Sequence, residues 1–140
     1  MHIEQHSPAL WKLTMTHCDY EELEHTAEIG LRVRAATGMF ALIGAQAGVL
    51  RTRHVMTVES NNAESLLVDW LSDLLAWHER TGEIYDQPEI RGWTPARLDA
   101  VVVGHAARTP PSTLIKAVTY HSLRLAEENG TWLAEIYFDV

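Results

Sequence analysis

The fold is decided by residues 61–82, which are NNAESLLVDWLSDLLAWHERTG. Asn61 and Glu64 resemble a capping box at the start of a helix, and Gly82 supplies a stop at its end. Between them the side chains recur at the i, i+3, i+4 spacing of a helix with one buried face. These side chains are Leu66, Leu67, Trp70, Leu71, Leu74, Leu75 and His78. The pattern predicts an amphipathic helix over residues 62–80, and its apolar stripe needs a second layer to cover it.

Downstream of this helix the sequence is typical of strands as far as its last residue. Strands are predicted over residues 83–90, 98–105, 116–127 and 132–140. In the last of them, Trp132, Ala134, Ile136 and Phe138 share one face. Gly130 predicts a tight turn between the final two strands, which would then form a hairpin.

Upstream of the helix, apolar residues alternate with arginines over residues 30–35, which predicts a half-buried strand. Residues 20–24 are its predicted partner strand. Residues 37–49 are predicted to form a short helix weakened by glycines, and residues 53–59 a strand rich in Val and Thr. Strands first flank two helices and then follow one another. We therefore predict an α+β fold, with one compact domain of two helices packed on a mostly antiparallel β-sheet system.

The first part of the chain has no clear periodicity. Residues 1–18 are predicted to be an N-terminal extension with a flexible or loosely docked backbone. Residues 19–140 form the predicted domain.

The charge balance bears on the kind of partner. The chain has 140 residues with 19 acidic against 11 basic side chains, and its formal net charge is −8. Binding of nucleic acid through its phosphates needs a basic face, and the basic residues are scattered. We therefore expect no direct nucleic acid binding, and a protein, metal ion or small ligand as partner. A single cysteine, Cys18, and the lack of an apolar run suited to a signal peptide or a membrane span favour a cytoplasmic protein.

Familiar catalytic motifs are missing from the sequence. It contains no P-loop, no GxGxxG, no HExxH, no CxxC and no GxSxG. The eight histidines do not lie at spacings that place pairs on a common helix face. The sequence therefore contains none of these short catalytic signatures from which a reaction could be assigned.

Two acidic segments are candidates for a site. Glu28 lies among polar groups just before the predicted strand, and the chain ends Asp139-Val140, which places two carboxylates side by side. If Glu28 lies on a neighbouring strand, the carboxylates would form an anionic cluster suited to Ca²⁺ or Mg²⁺. The alternatives are a tight connection around Glu28 and a solvated chain end. Lys116 is either an exposed strand-edge lysine or a cation near this cluster.

Four blocks of the sequence resemble the archease family, in the same order. They are residues 20–30 (YEELEHTAEIG), 67–79 (LVDWLSDLLAWHE), 116–122 (KAVTYHS) and 132–140 (WLAEIYFDV). The resemblance implies a non-catalytic protein cofactor of an RtcB-type RNA ligase in tRNA splicing or RNA repair. Such a cofactor promotes formation of the GMP-linked ligase intermediate and multiple turnover.

The resemblance also implies a divalent metal site, most often filled by Ca²⁺. The implied ligands are Glu28, Asp139 and Val140, with Lys116 and His25 as functional or partner-contacting residues. Where the family usually has Asp, this chain has Glu28, and the segment before Met39 is shorter, which predicts a short first helix.

Two other functions remain open from the residues. The same acidic cluster could serve a metal-dependent phosphohydrolase, or the chain could be a general chaperone-like scaffold without a metal role.

Overall fold

The computed structural model describes residues 2–7, 10–18, 26–128 and 131–140, and these residues form seven strands and two helices. In chain order the elements are β1 (His2–Ser7), β2 (Leu10–Cys18), α1 (Thr26–Ile43), β3 (Ala47–Glu59), α2 (Ala63–Thr81), β4 (Glu83–Thr94), β5 (Arg97–Ala107), β6 (Ala117–Glu128) and β7 (Thr131–Asp139).

The strands form two antiparallel sheets. One has four strands in the order β1-β2-β7-β6, and the other has three in the order β3-β5-β4. Helix α1 packs against β2 and β7 of the first sheet and β4 of the second, and α2 packs against strands of both sheets. Two helices on a mostly antiparallel sheet system confirm the predicted α+β class.

The long helix α2 is formed as its pattern predicts. Its N-cap is Asn62, one residue later than expected, and the side chain of Asn62 accepts a hydrogen bond from the Ser65 N–H. Gly82 ends the helix in the left-handed conformation, with φ of 73°, and its N–H donates to the His78 carbonyl. The predicted strands downstream are confirmed, and the β6–β7 hairpin pairs as expected. None of the described helices is long and apolar enough to cross a bilayer.

The prediction of a strand over residues 30–35 is wrong, because these residues lie inside α1, which has 18 residues. The helix predicted over residues 37–49 is confirmed only as the last part of α1, to Ile43, since residues 47–49 already belong to β3. Leu31, Ala35 and Met39, at i, i+4 and i+8, are completely buried, which is a helical stripe. Arg32 produced the false alternation, because it is also completely buried, with its guanidinium 4.2 Å from the centre of the Trp93 ring. The predicted partner strand over residues 20–24 lies outside the described residues.

The N-terminal segment forms two strands, β1 and β2, whereas the prediction was a flexible or loosely docked extension. β1 pairs with β2, and β2 pairs with β7 over its whole length, from Leu10 to Cys18. Leu13 of β2 is completely buried in the core. The segment therefore contributes two of the four strands of the larger sheet, while the domain boundary at residue 19 stays a prediction.

Candidate functional site

The last strand, β7, lies inside the four-stranded sheet and has Asp139 at its end. Asp139 pairs with Leu10 of β2 on one side and with Ala117 of β6 on the other. The backbone N–H of Lys116 donates a 2.7 Å hydrogen bond to the Asp139 carbonyl. Neighbouring strands therefore fix the backbone at Asp139 from both sides, which is the opposite of a frayed end.

The side chains of β7 divide between its two faces. Ala134, Ile136 and Phe138 are completely buried in the core. Because successive side chains point to opposite faces of a sheet, Asp139 lies on the face opposite Phe138, and it is exposed. Val140 packs partly against the core. The Asp139 side chain is thus an exposed oxygen donor on a fixed backbone, and hard cations prefer such donors.

Lys116 lies beside this strand end, just before β6 begins. Its side chain is exposed and lines a surface pocket of about 200 Å³ between α2 and β6. Glu79, also exposed, lines the same pocket from α2. The pocket therefore has both an ammonium and a carboxylate group at its edge, and the residue that carries the ammonium also contacts the Asp139 backbone.

The structure places Glu28 on a different element from the one predicted. It lies in the first turn of α1, not on a strand of the sheet. The Glu28 side chain and the whole of His25 lie outside the described residues. Among the described side chains, no group of three His, Cys, Asp or Glu could hold a metal ion. The ligand set Glu28, Asp139 and Val140 therefore stays a prediction.

A cationic side chain that the sequence did not single out lies on the same sheet face as Asp139. Lys12 is directly opposite Tyr137 in the β2–β7 register, two residues before Asp139. Its ammonium is 3.4 Å from the Glu135 carboxylate and 5.9 Å from the centre of the Tyr137 ring. Burial lowers the pKa of Lys12, but the nearby Glu135 and Tyr137 raise it by more, so its pKa is above the ordinary value. Sequence reasoning missed Lys12 because it treated residues 1–18 as an extension.

The block that begins at Lys116 ends in an irregular strand. The β6–β7 register shifts between Thr119 and Arg124, and within this bulge Ser122 has φ of 51°. Positive φ is uncommon for a residue other than glycine. The His121 ring lies edge-on to Tyr137, with ring centres 5.7 Å apart. The bulge thus aims His121 at the sheet face that carries Lys12 and Tyr137, as bulges near functional sites often do.

A second polar cluster lies in the three-stranded sheet and has a structural role. The Glu83 carboxylate is 2.9 Å from His54 Nε2 and accepts a 3.3 Å hydrogen bond from the Tyr85 hydroxyl. His78 of α2 contacts the Glu83 carbonyl through Nδ1 at 2.8 Å. The Trp77 ring lies edge-on to His54, with ring centres 4.8 Å apart. These contacts hold the end of α2 against β3 and β4.

Comparisons with known proteins agree with this fold. The model of the Archease protein family matches residues 20–140. Protein archease of Methanopyrus kandleri is 30% identical over 138 residues, which cover 86% of this chain and 99% of that protein. Protein archease of Methanosarcina acetivorans is 33% identical over 146 residues, which cover 86% of this chain and 95% of that protein.

Two solved structures share the fold. The crystal structure of an archease, described as a possible chaperone, from Thermotoga maritima has a TM-score of 0.68 at 18% identity, and the match covers 92% of this chain and 89% of that one. The solution structure of Methanobacterium thermoautotrophicum protein 1598 has a TM-score of 0.59 at 22% identity, over 96% and 94% of the two chains. The family model covers most of the sequence, and relatives at 30% identity or more match almost end to end, so the chain belongs to the archease family.

Proposed function

We propose that this protein is a non-catalytic cofactor that activates an RtcB-type RNA ligase in the cytoplasm, in tRNA splicing or RNA repair. Membership of the archease family supports this role. The observation that carries the proposal is the fixed end of β7. The backbone N–H of Lys116 donates a hydrogen bond to the Asp139 carbonyl there, and the exposed Asp139 carboxylate is left to bind a ligand. A small rigid group of charges suits a protein that acts by docking on another protein.

The proposed metal is Ca²⁺, with Mg²⁺ as the alternative, held by Glu28, Asp139 and Val140. Oxygen donors alone favour a hard cation, and Ca²⁺ accepts irregular carboxylate arrangements more readily than Mg²⁺ does. When bound, the ion would offset the repulsion between neighbouring carboxylates.

The proposed action on the ligase depends on charge. The acidic end of β7, with its ion, would dock near the nucleotide site of the ligase and order the groups that bind GTP. Lys116 and His25 would contact the partner directly. The net charge of −8 supports contact with a protein rather than with RNA phosphates.

The experiment is transfer of GMP from labelled GTP onto the ligase, measured with and without this protein. Wild-type protein should raise the rate, and Asp139→Asn should lose most of the increase because the substitution removes one ligand charge at nearly constant shape. Asp99→Asn is the matched control, since Asp99 lies in the three-stranded sheet, hydrogen-bonded to Thr57. A folded Asp139→Asn protein that stimulates fully would contradict the proposal.

Two further measurements on the same purified protein distinguish the phosphohydrolase and the chaperone-like scaffold from the proposed cofactor. Turnover of phosphate esters or nucleotides by the isolated protein would indicate the phosphohydrolase. A chaperone-like scaffold would protect unrelated clients and would be insensitive to Asp139→Asn.

A further inference from the structure

The edge of the three-stranded sheet carries a pattern that the proposed function does not use. β3 is the terminal strand of this sheet and has 13 residues. It pairs with β5 along one side, and no described strand pairs with its other side. Unpaired backbone donors and acceptors along a strand of this length are a template for another strand.

Successive side chains of β3 point to opposite faces of the sheet. Met56 and Val58 are buried in the core. The opposite face carries exposed side chains, and Val55, at their centre, is 67% exposed. In chain order these exposed residues are Arg51, Arg53, Val55, Thr57 and Glu59. The strand therefore presents an apolar centre with polar side chains on both sides.

The charges on this face are arranged oppositely about Val55. Arg51 lies four residues before it and Glu59 four residues after it. Beside Thr57 lies Asp99 of β5, whose carboxylate accepts a 2.7 Å hydrogen bond from the Thr57 hydroxyl. One end of the face is thus basic, and the other carries two carboxylates, both of which are paired with Arg97 of β5.

We propose that β3 pairs with β3 of a second copy of this chain, antiparallel and in register about Val55. A two-fold axis at Val55 places each Arg51 opposite Glu59 of the other copy, and each Arg53 opposite Thr57 and near Asp99. The two Val55 side chains meet at the axis. The two sheets become one continuous six-stranded antiparallel sheet.

A second copy is the occupant that the charge pattern fits. Charged side chains on an edge normally prevent pairing between sheets. Here an antiparallel two-fold pairing brings each Arg51 against Glu59 of the other copy and leaves no two like charges directly opposite each other, which suits a self-complementary interface. The contact does not involve Asp139 or Lys116, which belong to the other sheet, so it is independent of the proposed ligase cofactor role.

The test is the mass of the protein in solution, by sedimentation equilibrium. A contact through one strand edge is smaller than stable interfaces of roughly 1,200 to 2,000 Å², so we expect a dimer that dissociates in the micromolar range. Arg51→Glu should weaken it about tenfold or more, because two like-charge pairs replace two opposite-charge pairs. Arg91→Glu, the same change on the opposite edge strand, should leave the mass unchanged.

A charge swap makes the test specific. Arg51→Glu and Glu59→Arg proteins should each be monomeric alone and should form a mixed dimer when combined, since each then meets an opposite charge. Circular dichroism confirms that both variants are folded. A wild-type protein that stays monomeric at about 500 µM, or a dimer that persists unchanged in Arg51→Glu, would overturn the proposal.

Discussion

At the scale of single residues, Glu83 shows how a partly buried carboxylate can stabilise this fold. Its side chain is only 12% exposed. Burial raises the pKa of Glu83, but hydrogen bonds from His54 and Thr52 lower it by more, so its pKa is below the ordinary value of 4.5. A lowered pKa in the folded state means that ionised Glu83 stabilises the fold above pH 4.5, and that this contribution disappears as the pH falls through the lowered value.

Glu83→Gln should therefore reduce the free energy of unfolding by about 1 kcal/mol at pH 7, since the neutral amide oxygen is a weaker acceptor than a carboxylate oxygen and the amide NH₂ group cannot accept. The difference from wild type should shrink as the pH falls below the ordinary pKa of Glu83. Thermal unfolding at pH 7 and in acid measures both. Glu89→Gln, at a carboxylate that is 65% exposed, is the control and should change little. An equal loss of stability at both pH values would contradict the assigned role of the Glu83 charge.

At the scale of elements, β7 is the strand on which the candidate site depends. Extending the chain beyond Val140 by a few glycines turns the Val140 carboxylate into a peptide group while β7 keeps its partners β2 and β6. We expect Ca²⁺ affinity to fall about tenfold or more, because ligand charge sets the strength of such sites, with an unchanged melting temperature. Calorimetric titration with Ca²⁺ and thermal unfolding measure the two effects.

The same glycines added before Met1 are the control for that extension. Unchanged Ca²⁺ binding after extension beyond Val140 would remove this carboxylate from the ligand set. A large fall in melting temperature would instead show that the chain end is structural.

The elements also differ in how far their sequence determines them. α2 could be predicted because seven positions at helical spacing and two caps agree. The first half of α1 could not be predicted, because six alternating residues fit a strand as well as a helix that is buried on most sides. Arg32 added to the error, because it is buried although arginine is usually exposed. β2 was missed because its partner β7 is distant in sequence: Leu10 pairs with Asp139, and β1 in turn pairs with β2.

At the scale of the whole molecule, the class of fold and the position of Lys116 in the candidate site could be predicted from the sequence. The position of Lys116 next to Asp139 follows from the hairpin of β6 and β7, which a local turn predicts. Lys12 could not be placed there from local pattern, because it reaches the site only through pairing of β2 with β7. Contacts between segments far apart in sequence depend on the packing of the whole chain, and neither periodicity nor motifs encode them.

If this protein lets an RtcB-type ligase act repeatedly, as we propose, a count of the RNA joints sealed per ligase molecule will show it. An RtcB-type ligase with excess RNA carrying a 3′-phosphate and a 5′-hydroxyl is supplied with GTP, with and without this protein. We expect the amount of product to rise well beyond one joint per ligase molecule only when the wild-type protein is present, and not with Asp139→Asn. The same number of joints with and without the protein would contradict it.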